Sequence, residues 1–185
     1  SGTTTQKDYC GNVVYENGVQ NILLTEEGYV DLSTSTPTYY YYLKDHQGNN
    51  RVVINSSGAV QETNHYYPFG GVFASTGNVQ PYKYNGKELD TKKGLNWYDY
   101  GARHYDAALG RWFAADPLAE KRFSSSVYSY TSNNPINKID PNGMLDDWVK
   151  DKNGNIYWDE NATSQSSTKE GETYLGKTIV VFDGY

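Results

Sequence analysis

The chain has 185 residues, enough for one domain with its own core or for a segment of a larger protein. Only 37% of them are hydrophobic, whereas 19 Tyr and 18 Gly favour strands and turns over helices. A net charge of -6 with scattered basic residues argues against binding to a phosphate backbone, and a single cysteine, Cys10, excludes an internal disulfide framework and a Cys-rich zinc site.

The first half of the chain consists of short apolar and aromatic runs separated by Gly turns. NVVY and VQNILLT flank an Asn-Gly turn, and TPTYYYYLKD, RVVIN and AVQETNHYYPFG follow in the same style. Turns that recur about every 8–12 residues are typical of all-β proteins. We therefore predict an all-β fold of curled antiparallel hairpins, in which each unit buries its surface against its neighbours.

Helix-forming segments are few. DPLAEKRFS offers Asp116 as an N-cap with Pro117 at the first helical position, which predicts about two turns of helix. We expect one or two short helices near residues 116–130 and an extended or turn-like NNPINKIDPNG after them.

The tail, residues 145–185, predicts a strand, an Asn-Gly hairpin, a second strand, a polar linker and a last strand in TIVVFDGY. Nothing follows that strand to pair with it, so we expect an open apolar edge and a chain taken from a longer protein. The start, SGTTTQKDYCG, lacks the basic and apolar regions of a signal peptide. The tail also lacks His and Cys, and DKNGNIYWD lacks the terminal Glu spacing of a calcium loop.

Several phrases carry a resemblance to a known family. YLKDHQGNNRVV, HYYPFGG, YKYNGKELD, YDYGARHYDAALGRWFAADPLAE and NNPINKIDPNG resemble, in this order, the Rhs repeat-associated core domain. The resemblance covers roughly residues 40–144, and residues 8–39 resemble the tyrosine-aspartate (YD) repeats that precede such cores. It implies three segments: YD-repeat-like strands over 1–39, the core over 40–144, and the start of a variable C-terminal toxin over 145–185.

The resemblance also implies a function. Rhs proteins are large bacterial polymorphic toxins, and insect-toxin complexes share their architecture: a hollow β-shell, plugged by the core, that encloses a C-terminal toxin. The implied partners are the rest of the shell, the toxin and a cognate immunity protein, with strand-edge self-association as a further option. No nucleic acid, membrane insertion or cofactor is implied. The implied location is secreted, on the cell surface or delivered by a secretion system.

In several members of the family the core is also an aspartyl autoprotease that cuts after the second Asp-Pro-x-Gly. This implies Asp116 and Asp140 as the paired carboxylates, with Asp106 and Arg111 beside them and Met144–Leu145 as the cleaved bond. Two carboxylates in one site can divide the roles of acid and base toward water, and an Arg can stabilise a developing oxyanion.

Three alternatives remain open at this stage: a structural plug, an active autoprotease, and a Tyr-rich adhesion or glycan-binding module. The first motif here is Asp-Pro-Leu-Ala, without the final Gly, and Met144 follows the second motif where Leu is commoner. Asp before Pro also caps helices and starts turns, which favours a purely structural role.

The Tyr-Asp pairs and the histidines have structural interpretations. Alternation of Tyr98, Tyr100 and Tyr105 with small or polar residues predicts strand positions with cross-strand ring stacking, and turn hydrogen bonds to Asp99 and Asp106. The alternative is an exposed platform for carbohydrate. The histidines lie in separate phrases without the spacing of metal ligands, so we predict no metal site; they are His46, His65 and His104.

Overall fold

The computed structural model describes residues 5–121, 126–144, 148–150, 156–158, 165–176 and 179–180. These residues group into two compact units that alternate along the chain. The first contains the described residues up to Asp45, then Asn50–His65 and Ala74–Gln80. The second contains His46–Asn49, Tyr66–Phe73 and the described residues from Pro81 onward.

An eight-stranded sheet forms the first unit, apart from residues 66, 72 and 73, which belong to the second. Each strand pairs with the next along the chain, and the pairs from the first strand to the seventh are antiparallel. This meander confirms the prediction of an all-β chain built from hairpins. The strands are β1 (Lys7–Cys10), β2 (Val13–Glu16), β3 (Val19–Leu24), β4 (Gly28–Asp31), β5 (Thr38–Lys44), β6 (Asn50–Asn55), β7 (Val60–Tyr66) and β8 (Val72–Thr76).

Two kinds of local chemistry shape this sheet. Asn17 and Gly18 both have positive φ, 51° and 80°, as a two-residue hairpin turn between twisted strands requires. Gly28 lies so close to β5 that an added Cβ would be 2.0 Å from the carbonyl oxygen of Tyr40, so only glycine fits there. The strand register also shifts within β2, β5 and β6, and such irregularities increase the local twist.

The interior of the first unit combines aromatic and polar side chains. Tyr29 is 3% exposed and stacks on Tyr40 with ring centroids 4.7 Å apart. Glu62 is fully buried, and its carboxylate accepts hydrogen bonds from Asn64 Nδ2 at 2.6 Å, the Val79 amide at 2.8 Å and Gln80 Nε2 at 3.1 Å. These donors compensate the loss of hydration of a buried carboxylate.

The second unit contains short strands and single turns of 3₁₀ helix. A four-stranded antiparallel sheet has the order β12-β11-β10-β9. Its strands are β9 (Glu88–Asp90), β10 (Trp97–Asp99), β11 (His104–Asp106) and β12 (Arg111–Trp112). The 3₁₀ turns are Tyr84–Gly86, Lys92–Gly94, Ala119–Lys121, Thr131–Asn133 and Gln165–Ser167. One of them, Ala119–Lys121, begins where the sequence predicted a helix; residues 122–125 lie outside the described part.

Aromatic rings form the core of this unit. Each core ring is at most 3% exposed, and neighbouring centroids lie 4.2 to 6.5 Å apart. Tyr98 and Tyr105 are register partners on β10 and β11 and stack at 6.5 Å, which confirms the predicted cross-strand stacking. The core rings are Tyr84, Tyr98, Tyr100, Tyr105, Trp112 and Tyr130.

Three tyrosine hydroxyls of this core donate to one loop, and the other two donate to Asn85 Oδ1. Tyr84, Tyr105 and Tyr98 donate to the carbonyl oxygens of residues 68, 69 and 70, at 3.0, 2.9 and 3.0 Å. Tyrosine therefore fills the interior without an unsatisfied hydroxyl, which accounts for a core in a chain of low apolar content. Because Tyr98, Tyr100 and Tyr105 are buried, they do not form the exposed carbohydrate platform that was the alternative interpretation.

The tail pairs differently from the prediction at its end. β14 (Trp148–Lys150) is the central strand between β15 (Ile156–Trp158) and β16 (Thr173–Gly176). β17 (Ile179–Val180) pairs antiparallel with β13 (Lys138–Ile139). The expectation that the last strand has no partner is therefore wrong for these residues, because a partner strand lies some forty residues earlier in the chain, beyond the reach of local pattern analysis.

We expect the buried tyrosines to make the protein less stable in alkaline solution. Burial raises the pKa of Tyr98, Tyr100, Tyr105 and Tyr130 above the ordinary value of 10.0. Their stabilising contribution is complete below about pH 10 and is lost above it, because the unfolded chain releases protons that the folded chain retains. The slope approaches about 1.4 kcal/mol per pH unit for each tyrosine. Urea unfolding at about pH 8 and pH 10.5 measures it.

Two Phe variants provide the control for this prediction. Tyr105→Phe removes one buried ionisable group and should reduce the pH slope, whereas Tyr39→Phe, on an exposed ring, should leave it unchanged. An unfolding free energy that is equal at both pH values in the wild-type chain would contradict the prediction.

Candidate functional site

Asp116 lies after β12 at the entrance to the Ala119–Lys121 turn. Its Oδ1 accepts the amide of Leu118 at 2.8 Å, and its carbonyl accepts the amide of Ala119 at 3.0 Å. Its own amide donates to the carbonyl of Val127 at 3.1 Å. Asp116 therefore caps the turn, as the Asp-Pro sequence predicts, while its second carboxylate oxygen remains available for another partner.

Asp140 follows β13 and organises the second Asp-Pro loop in the same way. Its Oδ1 accepts the amides of Gly143 at 2.8 Å and Asn142 at 3.3 Å. Gly143 has φ +75°, and an added Cβ would lie 3.1 Å from the backbone nitrogen of Arg103. The amide of Met144 donates to Asn142 Oδ1 at 3.1 Å, so hydrogen bonds hold the loop as far as the residue before Leu145, which lies outside the described residues.

Arg103 joins these two motifs. Its Nη2 lies 3.1 Å from Asp116 Oδ2 and 3.6 Å from Asp140 Oδ2, and its side chain is 2% exposed. Its Nε donates to the Gly143 carbonyl at 2.6 Å and its Nη1 to the Val127 carbonyl at 3.2 Å. The guanidinium also lies 4.3 Å from the centre of the Trp112 ring. One buried cation thus holds both carboxylates and the loop that leads to Met144.

Arg103 is not among the site residues that the sequence predicted. It lies between Ala102 and His104 in the GARHYD phrase, directly before β11, and nothing in its immediate neighbours distinguishes it from a strand-edge cation. The one available indication was that Arg103 lies between Tyr100 and Tyr105, two predicted strand residues, and that an arginine buried beside them needs carboxylate partners.

The structure places Asp106 and Arg111 on the β11–β12 hairpin, where they are register partners. Asp106 Oδ1 accepts the amides of Ala108 and Leu109 at 2.9 and 3.1 Å, and its Oδ2 accepts Trp97 Nε1 at 3.2 Å. Arg111 is exposed. The structure therefore brings Asp116 and Asp140 together around Arg103, while Asp106 serves the hairpin turn.

A second cation lies near Asp140. Lys87 is half-buried, and its Nζ donates to the carbonyl of Pro141 and lies 5.2 Å from the centre of the Tyr100 ring. Burial lowers the pKa of Lys87 below its ordinary 10.5, and the negative charges of Asp140 and then Asp99 oppose that shift. Two carboxylates and two cations therefore meet around the Asp-Pro loop, so the repulsion between the carboxylates is offset.

The three histidines contact different groups. His46 Nε2 is 3.3 Å from the carbonyl of Ile136, His65 is 3.5 Å from Arg51, and the His104 ring is 6.5 Å from that of Trp97. In the part of the chain that the structure describes, no group of three or more His, Cys, Asp or Glu side chains is arranged to hold a metal ion. Nor do those residues include a helix long and apolar enough to span a membrane.

Comparisons with known proteins test the resemblance drawn from the phrases. No family model matches the chain. Toxin subunit YenC2 of Yersinia entomophaga is 39% identical over 103 residues, 52% of this chain and 10% of YenC2. Salivary gland surface protein 1 of Aedes aegypti is 37% identical over 111 residues, 58% of this chain and 3% of the mosquito protein. The chain is also similar in structure to TcdB2-TccC3 without its hypervariable C-terminal region, a crystal structure. The match has a TM-score of 0.61 and 21% sequence identity, and it covers 76% of this chain and 8% of the TcdB2-TccC3 chain.

The chain is similar to Rhs/YD-repeat toxin-associated proteins. The resemblance drawn from its phrases is thereby confirmed, and the likeness to TcdB2-TccC3 shows the shared fold. The chain spans a tenth or less of the length of these two curated relatives. One of them is named a toxin subunit and the other a salivary gland surface protein, so similarity alone does not assign one activity to the whole protein.

We expect Arg103→Met to destabilise this chain by about 3–5 kcal/mol, because it leaves two buried carboxylates without their cation. Arg111→Met is the matched control: its side chain is exposed, and its effect should stay within about 0.5 kcal/mol. Urea unfolding of the three proteins measures the difference. Equal unfolding free energies for Arg103→Met and the wild-type chain would show that the cluster contributes nothing to the fold.

Proposed function

We propose that this chain is the C-terminal core of an Rhs toxin shell, which encloses and presents an effector that begins after residue 144. YenC2 and YenC1 are toxin subunits, and TcdB2-TccC3, whose fold this chain shares, has a hypervariable C-terminal region. By analogy, residues 145–185, which follow the core here, would be the start of such a region. The proposed partners are the rest of the shell, the effector and its immunity protein, and the proposed location is outside the producing cell or inside a target.

The geometry best supports one reaction for this core: a single cut in its own chain between Met144 and Leu145. The observation that carries the proposal is the position of Arg103, which holds Asp116, Asp140 and the Gly143 carbonyl around one guanidinium. Gly143 directly precedes Met144, the residue whose carbonyl carbon belongs to the proposed bond. The carboxylates and the segment to be cut are therefore neighbours without any added substrate, which is the main requirement of an intramolecular reaction.

In the proposed reaction, one carboxylate accepts a proton from water as the water oxygen bonds to the Met144 carbonyl carbon. The other carboxyl group donates a proton to the Leu145 nitrogen as the carbon–nitrogen bond breaks. The products are a Met144 carboxylate and a Leu145 amine. Arg103 supplies fixed positive charge next to the Gly143 carbonyl, one peptide before the carbonyl on which negative charge develops, in a site largely screened from solvent.

A second candidate is a core that holds this loop but never cuts it. The observation in its favour is that both carboxylates already make structural contacts. Each Oδ1 accepts hydrogen bonds from backbone amides, and each Oδ2 contacts Arg103. In this alternative the cluster has only a structural role: it is a lock, in the sense that it holds the segment before Leu145 in a fixed position on the core.

Intact mass spectrometry of the 185-residue chain, followed over days at pH 5 and pH 7, separates the two candidates. We expect a species cut between Met144 and Leu145 in the wild-type chain, and none in Asp116→Asn or Asp140→Asn. Asp106→Asn serves as the carboxylate control and should still be cut, because Asp106 is engaged in the hairpin turn.

The product masses exclude trivial causes. Hydrolysis at Asp116–Pro117 or Asp140–Pro141 gives fragments of different mass from a cut after Met144. A wild-type chain that stays whole would support the non-cleaving core, and a Met144–Leu145 cut that persists in both Asn variants would show that the carboxylates are not its catalysts.

A further inference from the structure

The loop from Asp140 to Met144 has donors on every internal carbonyl. The Asn142 carbonyl accepts the amide of Ala102 at 3.2 Å, the Gly143 carbonyl accepts Arg103 Nε, and the Pro141 carbonyl accepts Lys87 Nζ. Three consecutive carbonyls are thus held by three different groups from outside the loop. Only the contacts from Arg103 and Lys87 come from side chains, and Arg103 also binds the carboxylates.

The backbone of Lys87 is itself fixed. It directly follows the Tyr84–Gly86 turn, its amide donates to the Tyr84 carbonyl at 2.9 Å, and its carbonyl accepts the amide of Lys83 at 2.9 Å. The turn in turn contains Asn85, whose Oδ1 accepts the hydroxyls of Tyr100 and Tyr130 at 2.7 and 2.8 Å. The lysine backbone is therefore fixed on the aromatic core while its side chain contacts the loop, so Lys87 holds the loop in a fixed position relative to that core.

Partial burial of the Lys87 ammonium group costs free energy of hydration, which its contacts in the folded protein must compensate. Its half-burial removes part of its hydration, and what it gains in return is one carbonyl oxygen, the face of Tyr100 and the charge of Asp140. All three partners lie at or beside the Asp-Pro loop. A lysine needed only for solubility would instead extend its charge into water.

We propose that Lys87 is a positioning residue for the cut after Met144, holding the Pro141 carbonyl so that the segment to be cut stays beside Asp116 and Asp140. This inference rests on the proposed self-cleavage. Arg103 holds the loop near its end, through the Gly143 carbonyl, and Lys87 holds it near its start, through the Pro141 carbonyl.

The test compares Lys87→Met, Lys87→Arg and the control Lys92→Met in the 185-residue chain. Lys92 is exposed on the Lys92–Gly94 turn. We expect Lys87→Met to slow the cut by roughly tenfold or more, because small misplacements of a reacting group carry penalties of that size. Lys87→Arg, which keeps a cationic donor, should restore much of the rate, and Lys92→Met should cut like the wild-type chain.

A second measurement distinguishes positioning from general loss of structure. In an Asp116→Asn background, which keeps the chain whole, hydrogen exchange of the amides of residues 142–144 should be faster with Lys87→Met, and slow again with Lys87→Arg. Exchange in the eight-stranded sheet should not change. Exchange that accelerates throughout the chain would indicate that Lys87 is only structural and would overturn the inference.

The two possible failures are distinct. If the wild-type chain is cut after Met144 and Lys87→Met is cut equally fast, the inference about Lys87 is wrong and the proposed function stands. If the wild-type chain is never cut, the proposed self-cleavage fails, and the inference fails with it.

Discussion

A guanidinium group buried among carboxylates is costly unless each charge has a partner, and the geometry of Arg103 follows from that constraint. It lies between Asp116 and Asp140 and donates to the carbonyls of Val127 and Gly143. Four segments that are distant in sequence, around residues 103, 116, 127 and 140–143, must therefore close on one point. This charge balance helps to hold both Asp-Pro loops in place.

The aromatic core and the charged cluster depend on the same residues. Trp112 presents its ring to Arg103 and packs against Tyr100 and Tyr105. Tyr100 contacts Lys87 through its ring and donates its hydroxyl to Asn85. A core built from tyrosine supplies both apolar faces for packing and hydroxyls for fixed hydrogen bonds, so it can support a polar site at its edge without an intervening apolar layer.

A satisfied cluster of this kind suits an event that happens once. A protease that turns over many substrates needs an open cleft, whereas a chain that cuts itself needs only its own loop beside two carboxylates in a screened site. The same contacts stabilise an uncut core, which is why a lock and an autoprotease share one geometry here. The relatives are far longer than this chain, and two of them are toxin subunits. In the proposed function, either version of the cluster acts on the C-terminal segment, by releasing it or by retaining it.

The sequence by itself determined what depends on neighbours along the chain. Asn17-Gly18 predicted a hairpin, the spacing of Tyr98 and Tyr105 predicted facing strands, and Asp116 before Pro117 predicted a cap. Each of these rests on hydrogen bonds or side-chain directions within a few residues. The choice of Arg103 over Arg111 as the cation of the pair, and the pairing of Ile179–Val180 with Lys138–Ile139, were decided only by the tertiary structure. Arg103 reaches the Gly143 carbonyl across 40 residues of sequence, and a charged group selects its partners by distance in space once the chain has closed.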